Sequence, residues 1–452
     1  MNTCKLLLTI TLTAAAALDV AAQTKKGAAA QGANVAAEKT AAPPFDRRRF
    51  DEMRREGFDA LYNLDYEGAR RHFTEMTRVF PDHPAGYQFL AAGLWLRTLN
   101  ESRRLQASLY NNEGFYKEDK NDKAETKSAA DFKELTSKTK ELCEARLKAD
   151  PKDVDALYYL GASEGLKAAW GSMVERSFMS ALRNGNDSVD HHRDLLKIDP
   201  AFTDAKVTVG MYDYVVGALP LPVKILASIG GFRGSKKRGL ATLEMVAREG
   251  AWAKDDAKSL LIALMKREGR FRDAFTYASE LATKYPRNYL FKMEAADALV
   301  SQAEVERASN PEAAKKTESE AFAVFDALLA PQRGPAAPRP PLDLVHYNYG
   351  EALLVAGQAE RAAKELLAAA AAQNAESSMV TRARLRAAQA LDVAGKREEA
   401  LTQYKAVLAL PDVFDSHTDA KRGIKEPYKL THKVGENAGG EAASETRGEQ
   451  AQ

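Results

Sequence analysis

The chain is nearly without cysteine: Cys4 and Cys143 are its two among 452 residues. Cys4 falls in a leader-like N-terminus, so Cys143 alone remains in the body of the chain. No intramolecular disulfide and no cysteine-based metal site is then available, and the fold must hold by core packing. Surplus charge is missing as well. Lys and Arg number 65 against 63 Asp and Glu, a formal net charge of +2. That balance projects no global field toward nucleic acid or an acidic membrane. No nucleic-acid partner is expected, and any electrostatic contact must use a local patch. β-Branched runs are scarce and Ala is abundant, which favours helix throughout.

The familiar catalytic patterns are also absent. No HExxH, Gly-x-Ser-x-Gly or Rossmann glycine fingerprint occurs. The seven histidines, His72, His83, His191, His192, His346, His417 and His432, are scattered. His191 and His192 are adjacent. Neighbours on a helix point about 100° apart, whereas metal ligands need a spacing of three or four. The chain therefore reads as non-enzymatic, with no catalytic residue, metal ligand or cofactor expected.

What is present divides the chain into segments. Residues 1–22 read as an export signal. Lys5 is a positive start, Leu6 to Ala17 an apolar stretch too short to span a bilayer, and Val20-Ala21-Ala22 a small-residue cleavage site. A periplasmic or secreted location follows. Cys4 precedes the apolar stretch, so a lipoprotein anchor is not implied. Residues 23–44 form a flexible linker ending in Pro43-Pro44. Residues 331–341, PQRGPAAPRPP, admit no helix and separate a block at 45–330 from one at 342–425. Residues 426–452 read as a disordered tail.

Between these breaks the chain repeats itself. A small residue is followed four later by a bulky one, and eight after that by proline, in Ala69, Phe73 and Pro81. Ala274, Ala278 and Pro286 keep the spacing, with a small residue in the bulky place, and Ala400 and Tyr404 keep it with Pro411 one residue early. Cys143 and His192 precede Pro151 and Pro200 by the same eight, which makes both of them core residues. A second set recurs ahead of these. It comprises Leu157, Leu160 and Gly161, then Val209 and Gly210, then Tyr349 and Gly350, with turn glycines at Gly269, Gly357 and Gly395. The small residue lets two helices approach, the bulky one fills the gap a turn away, and proline ends the unit.

Units of about 34 residues with these offsets resemble the tetratricopeptide repeat superfamily, here from about Phe45 to Leu410. The resemblance implies an all-α, helical-hairpin solenoid of about six or seven irregular helix pairs. The irregularity lies between Pro81 and Pro151, where a long helix near Tyr87 to Leu99 precedes a charged loop, NNEGFYKEDKNDKAETK.

In the stretch ALPLPVKILASIGGFRGSKKRG, residues 218–239, Ala218 to Ser235 is an enlarged turn inside one repeat. Ser235 is placed to cap the helix that follows. The spacing is wrong for a Walker loop, although Ser235, Lys236 and Lys237 at a helix start admit a weak anion site. Val223, Ile225, Leu226 and Ile229, with Lys224, Arg233, Lys236, Lys237 and Arg238, form a short amphipathic wedge suited to weak membrane-surface contact. Gly231, Phe232, Gly234, Gly239, Leu240 and Leu243 resemble a segment of the tetratricopeptide repeat protein 39 family, which includes a fungal inclusion-body clearance protein. That resemblance implies a non-enzymatic role linked to lipid handling and organelle surfaces. The family is intracellular, whereas this chain reads as exported.

In such a solenoid the first helices line the concave side. Taking Leu157 and Lys206 as equivalent core offsets puts Tyr158, Ala162, Val207, Met211 and Tyr214 in the groove, with Gln88 and Trp95 on the same face. An aromatic, Met-containing groove suits an extended or helical peptide. The alternative is that the inserted loop or another repeat fills it. The sequence thus reads as an exported scaffold for an unidentified protein or peptide, and nothing in it sets an oligomeric state. One rival is a peripheral membrane or lipid adaptor using residues 218–238. Another is an enzyme with an unrecognised site, which would need a buried titratable cluster in the groove.

Overall fold

Helix ends follow from local chemistry. Asp46, Asp65, Asp153, Ser235 and Asn288 each accept a hydrogen bond from a backbone amide two or three residues on, and so start a helix. Asn310 does the same before Pro311, whose missing amide costs nothing in a first turn. Gly269, Gly357 and Gly395 turn the chain between paired helices with φ of +71°, +76° and +74°.

The computed structural model describes residues 45–106, 128–219, 224–225, 228, 233–330 and 340–430. The expected export signal, the linker at 23–44, the charged loop at 111–127 and nearly all of the tail lie outside these residues. Among the described residues there are seventeen α-helices and no strand. The pairs are α1 (Arg47–Tyr62) with α2 (Tyr66–Val79), α3 (Ala85–Glu101) with α4 (Ala129–Ala149), and α5 (Val154–Met173) with α6 (Phe178–Ile198). Next come α7 (Lys206–Gly217) with α8 (Lys236–Glu249), α9 (Lys254–Arg267) with α10 (Phe271–Lys284), and α11 (Tyr289–Arg307) with α12 (Pro311–Leu329). Then α13 (Leu342–Val355) pairs with α14 (Ala359–Ala371), α15 (Ser377–Val393) pairs with α16 (Arg397–Val407), and α17 (Ser416–Lys425) closes the end. The fold is an all-α tetratricopeptide-like solenoid. Its eight pairs are one more than the upper end of the expected range. The pair α11–α12 lacks a turn glycine, and Phe325 is not followed by proline eight later, so it carries little of the repeat signature.

Repeat positions pack as their spacing demands. Ala69, Phe73, Ala274, Ala278, Ala400, Tyr404, Cys143 and His192 are all buried. A β-carbon at Gly161 would lie 2.4 Å from the His192 ring, and one at Gly350 would lie 2.5 Å from Leu366. Burial pushes the Cys143 thiol up to about 12, which leaves it unreactive at neutral pH. One apolar core runs from Tyr289 to Ala420, with Phe325 stacked on Tyr349 at 5.0 Å. Residues 331–341 therefore interrupt the helices without interrupting the core.

His192 makes a pH prediction. Its Nε2 donates to the Tyr158 carbonyl at 3.0 Å, and burial lowers its pKa to about 4. The unfolded chain takes up that proton near an ordinary value of about 6.5. Stability from this residue is complete above that value and declines as pH falls toward about 4, by about 3 kcal/mol in all. Denaturant melts between those pH values should show the decline, and His192→Gln should flatten it.

The solenoid also touches itself across long sequence separations. The α1–α2 turn meets the α10–α11 turn. Asn288 Nδ2 donates to the Tyr62 carbonyl at 2.7 Å, the Arg287 amide donates to Asn63 Oδ1 at 3.2 Å, and Tyr62 stacks on Tyr285 at 4.9 Å. Arg47 and Arg54 of α1 both lie 5.2 Å from the Trp252 ring, just ahead of α9. Further along, Tyr289 donates to Asn100 at 2.9 Å, and Arg103 meets Asp343 at 3.1 Å. The concave side is thereby closed into a ring rather than left as an open trough.

Candidate binding cavity

The ring encloses a cavity of about 1510 Å³. Its walls are the first helices of consecutive pairs, α3, α5, α7, α9 and α11, together with the C-terminal end of α1 and the N-terminal half of α6. The α1 end of this wall meets Trp252, ahead of α9, and Asn288, ahead of α11, through the contacts above.

Each wall has its own texture. Helix α5 presents Tyr158, Ala162, Gly165, Ala169 and Ser172, a run of mostly small side chains on one face. Helix α7 presents Val207, Met211 and Val215, spaced by four. Val215 is 48 % exposed and Leu182 of α6 is 37 % exposed, so both are open apolar groups on the wall. Gln88 and Trp95 of α3 complete the N-terminal side. Six of the seven residues assigned to the groove from sequence thus line the cavity. Tyr214 does not. It is 1 % exposed, packs with Leu243 and Val246 of α8, and donates its hydroxyl to Glu268 at 2.6 Å. The reason is helical phase. Gly210 is the close-packing position against α8, and a residue four later falls on that same face. Val215, four after Met211, is the wall residue that the sequence reading missed, and counting on from Val207 finds it.

Of the acidic groups on the wall, Asp204 and Asp256 lie at the N-terminal end of α9 and Glu294 lies by its C-terminal end. Asp204 accepts the Trp252 and Ala253 amides at 3.0 and 2.9 Å, ahead of α9. Asp256 of α9 accepts the Tyr62 hydroxyl. Glu294 of α11 is held by Lys266 at 2.7 Å. Burial raises the Asp256 carboxyl to about 6. The Tyr62 bond opposes that shift and the charges of Asp255 and Asp204 add to it. Asp256 is accessible from the cavity, with protein packed around its other sides. Tyr62 and Asp256 carry no repeat signature, and no local pattern marks them.

Part of the remaining concave surface is filled by the chain itself. Arg103 and Gln106, at the start of the insertion, reach Asp343 and Asn348 of α13, and the Arg104 guanidinium lies 5.7 Å from the Phe414 ring. Among the described residues, the cavity between α3 and α11 is left open.

In the basic segment at 218–238, part of the charge is paired within the fold. Lys236 pairs with Glu268 at 2.9 Å, and Arg238 grips Asp213 through two bonds, one of 2.7 Å. Two of the five candidate cations are thus paired with carboxylates of the fold. Lys224 donates to the Gly217 carbonyl at 3.3 Å, while Arg233 and Lys237 lie at the surface. Ile225 is 53 % exposed, and Val223, Leu226 and Ile229 lie outside the described residues. Ser235 does cap α8. Among the described residues no helix is long and apolar enough to cross a membrane, and no cluster of His, Cys, Asp or Glu has metal-site geometry.

No protein-family model and no curated protein matches the sequence. Similar solved structures exist. Human IFIT1, as a dimer with PPP-AAAA, is 12% identical with a TM-score of 0.43, covering 84% of this chain and 85% of that one. Yeast Tom70 is 12% identical with a TM-score of 0.33, covering 84% and 89%. A tetratricopeptide repeat protein from Parabacteroides merdae is 12% identical with a TM-score of 0.29, covering 75% and 99%. These likenesses concern the fold and reach neither ligand nor partner. They lend no support to the expected absence of nucleic acid, and none to the narrower resemblance of residues 231–243.

Proposed function

We propose that this protein is an exported, non-enzymatic scaffold that captures a peptide segment of a protein partner inside the ring. The observation that carries the reading is the cavity. At about 1510 Å³ it exceeds the roughly 300–1,000 Å³ typical of small-molecule sites. Its walls are apolar and aromatic along α3, α5 and α7, which suits the side chains of an extended or helical peptide. Its charged groups, Asp204, Asp256 and Glu294 against Arg183, are the reverse of what a phosphate backbone requires. Export is supported by the leader-like sequence at 1–22.

The test fills the cavity without touching the core. Peptides from a displayed random library are selected on the full chain and re-measured on Ala162→Trp, whose new ring projects from the small-residue wall of α5. Affinity should fall at least about tenfold, with thermal unfolding unchanged. Peptides that bind both proteins equally would place the site elsewhere.

A further inference from the structure

The cavity is apolar along most of its walls and carries two carboxylates, Asp204 and Asp256, at the N-terminal end of α9, and that placement bears on what enters it. Asp256 sits in the first turn of α9, exposed to the cavity and away from the outer surface. Its Oδ1 accepts from Tyr62. Its neighbours are largely committed elsewhere. Asp255 is met by Lys284 and by the Tyr285 hydroxyl, each at 2.6 Å. Asp204 is taken up by two backbone amides. The fixed cation that acts on Asp256 is Arg54, whose guanidinium lies over Trp252. A carboxylate held among other carboxylates, with one hydroxyl donor, gains from an incoming cation. Coulomb attraction is stronger beside protein walls than in bulk water. Tyr62 and Tyr158 line the cavity beside it, each with one face stacked, on Tyr285 and on His192, and aromatic rings attract ammonium and guanidinium groups.

We propose that the α9 end of the cavity is a cation subsite, in which Asp256, edged by Tyr62 and Tyr158, takes the ammonium or guanidinium of a Lys or Arg on the captured segment. This rests on the peptide-capture reading and refines it: the partner is an apolar segment with a basic residue near one end. Val207, Met211 and Val215 hold the apolar part, and the basic side chain fixes its direction along the ring.

The experiment is a double-mutant cycle. Peptides recovered on the full chain, and lost on Ala162→Trp, have each Lys or Arg exchanged in turn for Met. Binding is measured to the unaltered protein and to Asp256→Asn, which keeps an oxygen for the Tyr62 hydroxyl. One exchange should weaken binding at least about tenfold on the unaltered protein and under about twofold on Asp256→Asn. Equal losses on both proteins, or cavity-bound peptides without any basic residue, overturn the subsite while leaving peptide capture standing. Peptides that survive Ala162→Trp overturn both. The exchanges on the peptide decide the matter even if Asp256→Asn folds poorly, because a cavity-bound peptide indifferent to every exchange is itself a refutation.

Discussion

Asp343→Ala should cost about 3–5 kcal/mol, because it strands a buried guanidinium. Asp343 is 2 % exposed and receives Arg103 Nε through both oxygens at 3.1 Å. It also accepts the Glu376 amide at 3.0 Å, so one carboxylate joins the end of α3 to α13 and to the start of α15. Arg103, 14 % exposed and held at a φ of +55°, has no comparable acceptor to turn to. Equilibrium denaturation measures the loss. Hydrogen exchange should locate it at the start of α13 and in the backbone around Glu376. Asp343→Asn keeps an acceptor for the Glu376 amide and should cost less, since it removes the charge and spares the shape. A loss below about 1 kcal/mol for Asp343→Ala would show the ring contact to be dispensable.

Gly239→Ala should be of comparable size and of different origin. A β-carbon there would stand 2.5 Å from the Tyr214 amide nitrogen and 2.6 Å from the Gly210 carbonyl oxygen. Both are backbone atoms of α7, so no rotamer change relieves the clash and the two helices must part. Overpacking of this kind costs about 3 kcal/mol. The displaced helix is the one that carries Val207, Met211 and Val215, so peptide capture should weaken along with stability. Gly269→Ala is the natural comparison. Nothing lies within 4 Å of a β-carbon there, and its cost comes from a φ of +71° alone, about 1 kcal/mol. Thermal and chemical melts of the two variants separate crowding between helices from backbone strain within a turn.

How much of this could be read from the sequence depended on sequence distance. Hairpin packing is local. Ala69 and Phe73 share one helix, and a spacing of four puts them on one face, so their burial was legible. The same logic placed Cys143 and His192 in the core and Tyr158, Ala162, Val207 and Met211 on the cavity wall. It failed at Tyr214, four after Gly210 and so on the face that packs against α8, whereas Val215, four after Met211, reaches the wall. The ring itself was not legible. Tyr62 and Asp256 are 194 positions apart, and neither stands at a repeat offset. The basic run before Gly239 read as a free patch because a sequence cannot show that Asp213 and Glu268 wait for Arg238 and Lys236 in neighbouring helices.

The ring contacts have a mechanical consequence. A linear repeat array stretches like a spring, since each unit is tied to its neighbours alone and peels off in turn. Here the α1–α2 turn is bonded to the α10–α11 turn, and Arg103 to Asp343, so tension applied to the two ends crosses the ring before it reaches the hairpins between. Extension should be stiff at first and should give way in one rip when the clasp opens. The soft uncoiling of an ordinary solenoid would appear after that event and not before it.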